Sequence, residues 1–133
     1  FVTVGTPGGL SSGIARVAAN GSGTWVSAGT AASDASMQKV VYNCAPALSL
    51  DGSSLYVTVT DDPVTGFGHG YLLRLNATTL ALQSKVRLTD VMSSDDAYLP
   101  DDGTASPTIG PDGDVYIGVL ENPVVAEPDT TLL

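Results

Sequence analysis

Apolar residues along this chain come in short bursts separated by Gly, Pro, Asn and Asp, and no segment keeps a helical period. That pattern predicts an all-β chain. Ala45–Leu50 reads as a strand ending at Asp51-Gly52, a hairpin signal because both central positions tolerate positive φ. Leu55–Thr60 follows, β-branched and aromatic throughout. Asp61–His69 reads as a loop, Tyr71–Leu75 as a third strand, Asn76-Ala77-Thr78-Thr79 as a turn and Leu82–Leu88 as a fourth strand. Thr89–Ala105 is a long polar connection. Ser106–Gly110, a turn at Asp112-Gly113 and Val115–Leu120 then begin the order again. Upstream, Phe1–Val4, Gly13–Ala18 and Thr24–Ala28 read as strands, with a hairpin turn at Asn20-Gly21.

The elements recur. Pro46–Val59 matches Pro107–Val119, and Asp51 to Asp112 is 112 − 51 = 61 residues. Gly13-Ile14-Ala15-Arg16-Val17 matches Gly70-Tyr71-Leu72-Leu73-Arg74-Leu75, with Arg16 to Arg74 at 74 − 16 = 58. A long, nearly fixed period of short strands is the mark of a propeller or solenoid. The fold expected is therefore all-β, made of antiparallel four-stranded β-propeller blades with strands A to D. Residues 1–44 would be a partial blade (strands B, C, D), 45–105 a complete blade and 106–133 a partial blade (strands A, B), in one domain. Ala45–Leu88 should form one four-stranded antiparallel sheet. Leu48, Leu55, Val57, Val59, Leu73, Leu75, Ile109, Val115 and Ile117 should be buried, and Tyr56 and Tyr116, at one repeat position, should be buried alike. Rings usually close with roughly 4–8 blades. The expected partners are thus the remaining blades of a longer chain, or other copies of this one.

Ser106-Pro107-Thr108-Ile109-Gly110-Pro111-Asp112-Gly113-Asp114-Val115-Tyr116-Ile117-Gly118 resembles the inner hairpin of quinoprotein-like (PQQ-type) β-propellers. Gly70-Tyr71-Leu72-Leu73-Arg74-Leu75-Asn76-Ala77-Thr78-Thr79-Leu80 resembles that family's strand C and its turn, and the chain also looks like secreted bacterial proteins of the same blade type. The resemblance implies a propeller fold and an extracellular location; it is specific for fold rather than activity. Quinoprotein dehydrogenase blades carry a Trp late in strand D. Leu82-Gln83-Ser84-Lys85-Val86 has none, and the only Trp is Trp25, which speaks against PQQ as a cofactor.

Composition narrows the partners. The 133 residues carry 5 Lys+Arg against 14 Asp+Glu, a net charge of −9. Nucleic acid and anionic membrane surfaces need clustered Lys and Arg, so neither is expected. Cations and neutral ligands such as glycans remain, beside the plain reading of an acidic surface that aids solubility. No apolar run reaches the ~18 residues of a membrane span. No basic segment followed by an apolar run marks a leader, although Phe1 already reads as strand interior and a leader upstream fits the pattern. Cys44 is the single cysteine and reads as a buried, inert thiol.

In the expected register the acids sort by face. Asp34, Asp61, Asp62, Asp90, Asp95, Asp96, Asp101, Asp102, Glu121, Glu127 and Asp129 fall on the B–C and D–A loops; Asp51, Asp112 and Asp114 fall on the opposite turns. Ca²⁺ takes roughly 6–8 oxygen ligands, which makes Asp61, Asp62, Asp95, Asp96, Asp101 and Asp102 its candidate ligands, although no segment has EF-hand spacing. His69, the only histidine, sits on the same face as a loop residue without a visible nucleophile partner. Asn20-Gly21-Ser22 and Asn76-Ala77-Thr78 fit the N-glycosylation pattern, while Asn, Gly and Thr also form turns unaided. Tyr42, Tyr56, Tyr71, Tyr98 and Tyr116 offer rings for stacking on sugars. The leading expectation is an extracellular propeller segment serving as a structural or binding module for cations or glycans. One alternative is part of a quinoprotein-like or polysaccharide-active enzyme with most catalytic residues elsewhere; another is a self-assembling surface protein adding arcs through open edges.

Overall fold

The longest β-branched run becomes the centre of the fold. A computed structural model of the chain describes residues 4–6, 9–62, 68–99 and 105–122. The N-terminal part holds β1 (Val4–Thr6) paired with β2 (Gly9–Ser11), and β3 (Gly13–Val17) paired with β4 (Gly23–Ser27). A short helix, α1 (Ala28–Ala32), follows directly. The main sheet comprises β5 (Lys39–Val40), β6 (Ala47–Leu48), β7 (Ser54–Thr60), β8 (Gly70–Asn76) and β9 (Leu82–Arg87). A last hairpin joins β10 (Thr108–Ile109) to β11 (Val115–Tyr116). Every pairing between named strands is antiparallel.

Within 45–88 the sheet runs β6-β7-β8-β9, four antiparallel strands in sequence order. The strand beside β7 is longer than its sequence showed. Lys39 and Val40 pair with Thr60 and Val59, Ala47 and Leu48 pair with Tyr56 and Leu55, and Val41 still donates its N–H to Thr58 O at 3.0 Å. One strand, interrupted at 42–46, thus lines that side of β7. The last hairpin takes the register of the main one, with Thr108 opposite Tyr116 as Ala47 is opposite Tyr56.

The hairpin turns differ in detail from expectation. Gly21, Gly52 and Gly113 have φ of 84°, 70° and 92°, whereas Asn20, Asp51 and Asp112 are absent from the positive-φ residues. Each glycine N–H donates three residues back, to Ala18, Ser49 and Gly110. The left-handed residue after a tight turn is therefore glycine alone, and the preceding Asn or Asp serves through its side chain. Asn20, Asp51 and Asp112 each accept, on Oδ1, the N–H two residues on.

The sheet is covered on both faces. Val57, Val59, Leu73 and Leu75 pack with Ile14, Met37, Val40, Leu80 and the alanines of α1. Ser27 caps that helix, its hydroxyl accepting from Thr30 N–H, and Ser33 closes it in the left-handed conformation. The buried face of α1 is Ala28, Ala31 and Ala32, small enough for the helix to lie close on the strands. The other face packs Val41, Cys44, Leu88 and Leu99 against Leu72 and Ile117. Burial on both sides leaves consecutive buried residues, Val57 to Thr60, on β7.

Four of the expected core residues are buried: Val57, Val59, Leu73 and Leu75. Leu55, Ile109, Val115 and Ile117 are half-buried. Leu48 is 56% exposed, because β6 is a two-residue edge whose outward position nothing covers among the described residues. Tyr56 is half-buried while Tyr116 is exposed. Arg74 of β8 stands opposite Tyr56, and β11 has no third strand beside it among the described residues.

Candidate functional site

The polar chemistry gathers where β7 ends and β8 begins. Thr60 opposite Gly70 is the last pair, and beyond it Asp61 N–H donates to His69 O at 2.9 Å. His69 N–H donates to Asp61 Oδ1 at 2.8 Å, and Nδ1 of the imidazole lies 3.8 Å from Asp61 Oδ2. Two glycines fix the histidine. A side chain at Gly70 would collide with the Val59 carbonyl and one at Gly68 with the Thr60 hydroxyl, so the backbone crosses here only without a Cβ.

Leu99 N–H donates to Gly68 O at 2.8 Å, which brings the neighbouring Tyr98 ring onto the imidazole with centroids 5.1 Å apart. Tyr98 also lines a cavity of about 260 Å³ whose other walls include Val41, Cys44, Thr58, Leu99, Ile117 and Leu120. The Cys44 thiol lies buried there, donating to Ala105 O at 3.2 Å, with the Thr58 hydroxyl 3.4 Å away. The thiol is thus buried, as the sequence implied.

A second group adjoins the first along β9. Tyr71 of β8 stands opposite Arg87. The Arg87 guanidinium lies 5.0 Å from the Tyr71 ring and donates to both oxygens of Asp96, at 2.8 and 2.6 Å. Lys85 Nζ lies 4.6 Å from the same ring and donates to Ala32 O at the end of α1. The Tyr71 hydroxyl donates to Asp34 Oδ2 at 3.1 Å. Hydrogen bonds from Arg87, with its charge and that of His69 behind them, hold the Asp96 carboxyl below its ordinary range. Ser36, through hydroxyl and N–H, then Tyr71 and Lys85, do the same for Asp34.

Four of the six acids proposed as ligands lie among the described residues, each in its own surroundings. Asp61 serves His69, Asp96 serves Arg87, Asp62 is buried at 9% exposure and Asp95 is exposed; Asp101 and Asp102 lie outside the described residues. Among the described residues no three of His, Cys, Asp and Glu stand close enough to hold a metal ion. Asp90, at 8% exposure, is also engaged. Met92 and Asn122 N–H groups and the Ser93 hydroxyl donate to it and hold its carboxyl below the ordinary range. Asn20 and Asn76 lie on turns, the first exposed and the second half-buried.

The joint role of Tyr71, Lys85 and Arg87 was missed from the sequence. Lys85 and Arg87 alternate on one strand, and an antiparallel register placing Tyr71 opposite Arg87 was the signal available. What the first group offers is an imidazole, the Tyr98 phenol ring and the Asp61 carboxylate, with Tyr98 also lining the apolar cavity, groups suited to stacking and hydrogen bonding. No helix among the described residues is long and apolar enough to cross a membrane. Compared with protein-family profiles, curated proteins and solved structures, the chain matches none.

Proposed function

We propose that this chain is a segment of an extracellular β-propeller acting as a structural or binding module, and that it takes neutral glycans on the face carrying Asp61, His69 and Tyr98. One observation carries the binding reading. Tyr98 joins two unlike surfaces, stacking on His69 beside Asp61 while lining the apolar cavity. A sugar presents the same two characters, C–H faces that stack on aromatic rings and hydroxyls that bond to carboxylate and imidazole. The propeller reading is supported by the order β6-β7-β8-β9, by burial of both sheet faces and by the shared register of the last hairpin. The net charge of −9 favours cations as a second reading.

The test is calorimetric titration of neutral oligosaccharides, and separately of Ca²⁺, into the 133-residue chain. Tyr98→Ala is expected to abolish saccharide heat, and His69→Ala to weaken it. Saccharide heat undiminished in Tyr98→Ala, or no heat with any sugar, would sink the glycan reading. Heat with Ca²⁺ that disappears when the six Asp become Asn would put the cation reading in its place.

A further inference from the structure

The chain holds two Asn-X-Ser/Thr triplets, and the fold presents them differently. N-linked transfer needs an asparagine amide that a large enzyme can reach, with the hydroxyl two residues on beside it. Asn20 stands at the tip of the β3–β4 hairpin, and residues 19–24 are all exposed. Gly21 faces open space, with nothing within 4 Å of where a side chain would begin. The Ser22 hydroxyl donates to Asn20 Oδ1 at 2.7 Å, and Ser22 N–H donates to the same oxygen at 3.0 Å. Both bonds fall on the oxygen, so the hydroxyl sits beside the amide while the amide nitrogen is left to solvent.

Asn76 is set differently. It is the half-buried last residue of β8, its N–H donating to Ala81 O and its carbonyl accepting from Leu80 N–H. Its Oδ1 accepts the backbone N–H groups of Thr78 and Thr79, both at 2.9 Å, and not the Thr78 hydroxyl. Ala77 N–H donates to Ser53 O, pinning this turn onto the β6–β7 hairpin, and Leu80 anchors it in the core at 2% exposure.

We propose that Asn20 is the acceptor site for an N-linked glycan in the folded protein and that Asn76 is not. The donor is a lipid-linked glycosyl diphosphate. The bond between its anomeric carbon and the diphosphate oxygen breaks, Asn20 Nδ2 forms the new bond to that carbon, and one amide proton is lost. The proposal rests on the extracellular reading only for the chain's meeting such a donor in nature.

The test uses glycan-free chain made in bacteria and a purified single-subunit oligosaccharyltransferase that accepts Asn-X-Ser/Thr without a flanking acid. Folded chain, and chain denatured and cut by trypsin so that it cannot refold (the unfolded sample), receive the same lipid-linked donor, and intact glycopeptides are mapped by mass spectrometry. Intact glycopeptides avoid confusion with spontaneous deamidation at Asn20-Gly21. In the folded sample the Asn20 peptide is expected to shift to its glycosylated form while the Asn76 peptide stays unmodified. Asn76 should gain sugar only in the unfolded sample, and Asn20→Gln should abolish transfer to the folded chain. Equal modification of Asn76 in the folded chain would overturn the proposal, as would an unmodified Asn20 beside a modified unfolded control. Neither result bears on the Tyr98 face, which is measured on glycan-free protein.

Discussion

Leu75→Ala asks whether the face of the sheet beneath α1 carries the stability of the chain. Leu75 is 0% exposed and packs in one cluster with Val57, Val59, Leu73 and Ile14. The substitution removes three carbons' worth of buried apolar side chain, about 2.4 kcal/mol at ~0.8 kcal/mol per group. The surrounding strands relax only in part; a residual hole of about 50 Å³ adds about 1.2 kcal/mol at ~24 cal/mol per Å³. The expected loss is about 3.5 kcal/mol, within the range of about 2–5 known for buried Leu→Ala changes. Val86→Ala is the control. Val86 lies on β9 of the same sheet but is 60% exposed, so its loss should stay within about 0.5 kcal/mol. Urea unfolding followed by circular dichroism measures both, compared through midpoints at unchanged slope. Should Leu75→Ala fail to fold, Leu75→Val reads the same site with a smaller deletion. A Leu75→Ala loss below about 1 kcal/mol, or one no larger than that of Val86→Ala, would refute the assignment of this face as the core.

Acid should weaken the fold in a definite window. Asp51 is pulled down to about 2 from 3.8, first by the Ser49 hydroxyl and then by the Ser53 N–H and hydroxyl, and Asp34, Asp90 and Asp96 are also lowered. Each folded-state value lies below the unfolded one, so each contribution is present above pH 3.8 and lost as pH falls, for Asp51 down to about 2. Melting temperature should hold steady above that window and drop within it, less steeply in Asp51→Asn; a rise on acidification would contradict the hydrogen bonding described. Glycine replacements should separate conformation from space: Gly52→Ala, in open surroundings at φ 70°, should cost about 1 kcal/mol by urea unfolding. Gly70→Ala, which meets the Val59 carbonyl, should leave no cooperative transition at all, and near-equal losses at the two sites would contradict the close crossing of β7 and β8.

How much of this was legible depended on range. The hairpins at Asn20-Gly21, Asp51-Gly52 and Asp112-Gly113 could be read because the turn chemistry and the flanking apolar runs lie within a few residues. The helix α1 could not, since five residues of Ala, Gly and Thr show no period and the cap at Ser27 resembles loop sequence. Lys39-Val40 gave no strand signal, because its pairing is supplied by Thr60 and Val59 some twenty residues away. Leu48 was misjudged for the same reason in reverse: its apolarity suggests burial, but an edge position decides its exposure. At the candidate site the residues were visible as types and their partners were not. His69 read as an isolated loop histidine until the Gly68–Leu99 contact brought Tyr98 onto its ring.

The carboxylates show why sorting acids by face is not enough to make a cation site. Asp34, Asp51, Asp90 and Asp96 each accept hydrogen bonds from their own chain, and those bonds hold them ionised without a metal. Arg87 engages both oxygens of Asp96, so a Ca²⁺ ion seated there would have to displace the guanidinium. A half-buried two-point pair of this kind is worth on the order of 1 kcal/mol, a cost a cation could meet only by gaining several further oxygens at once. Arg87→Gln removes the competitor and leaves the carboxylate in place. If Asp96 is a latent ligand held shut by Arg87, Ca²⁺ heat should appear or strengthen in Arg87→Gln. Identical titrations in parent and variant would mean that Asp96 takes no part in cation binding.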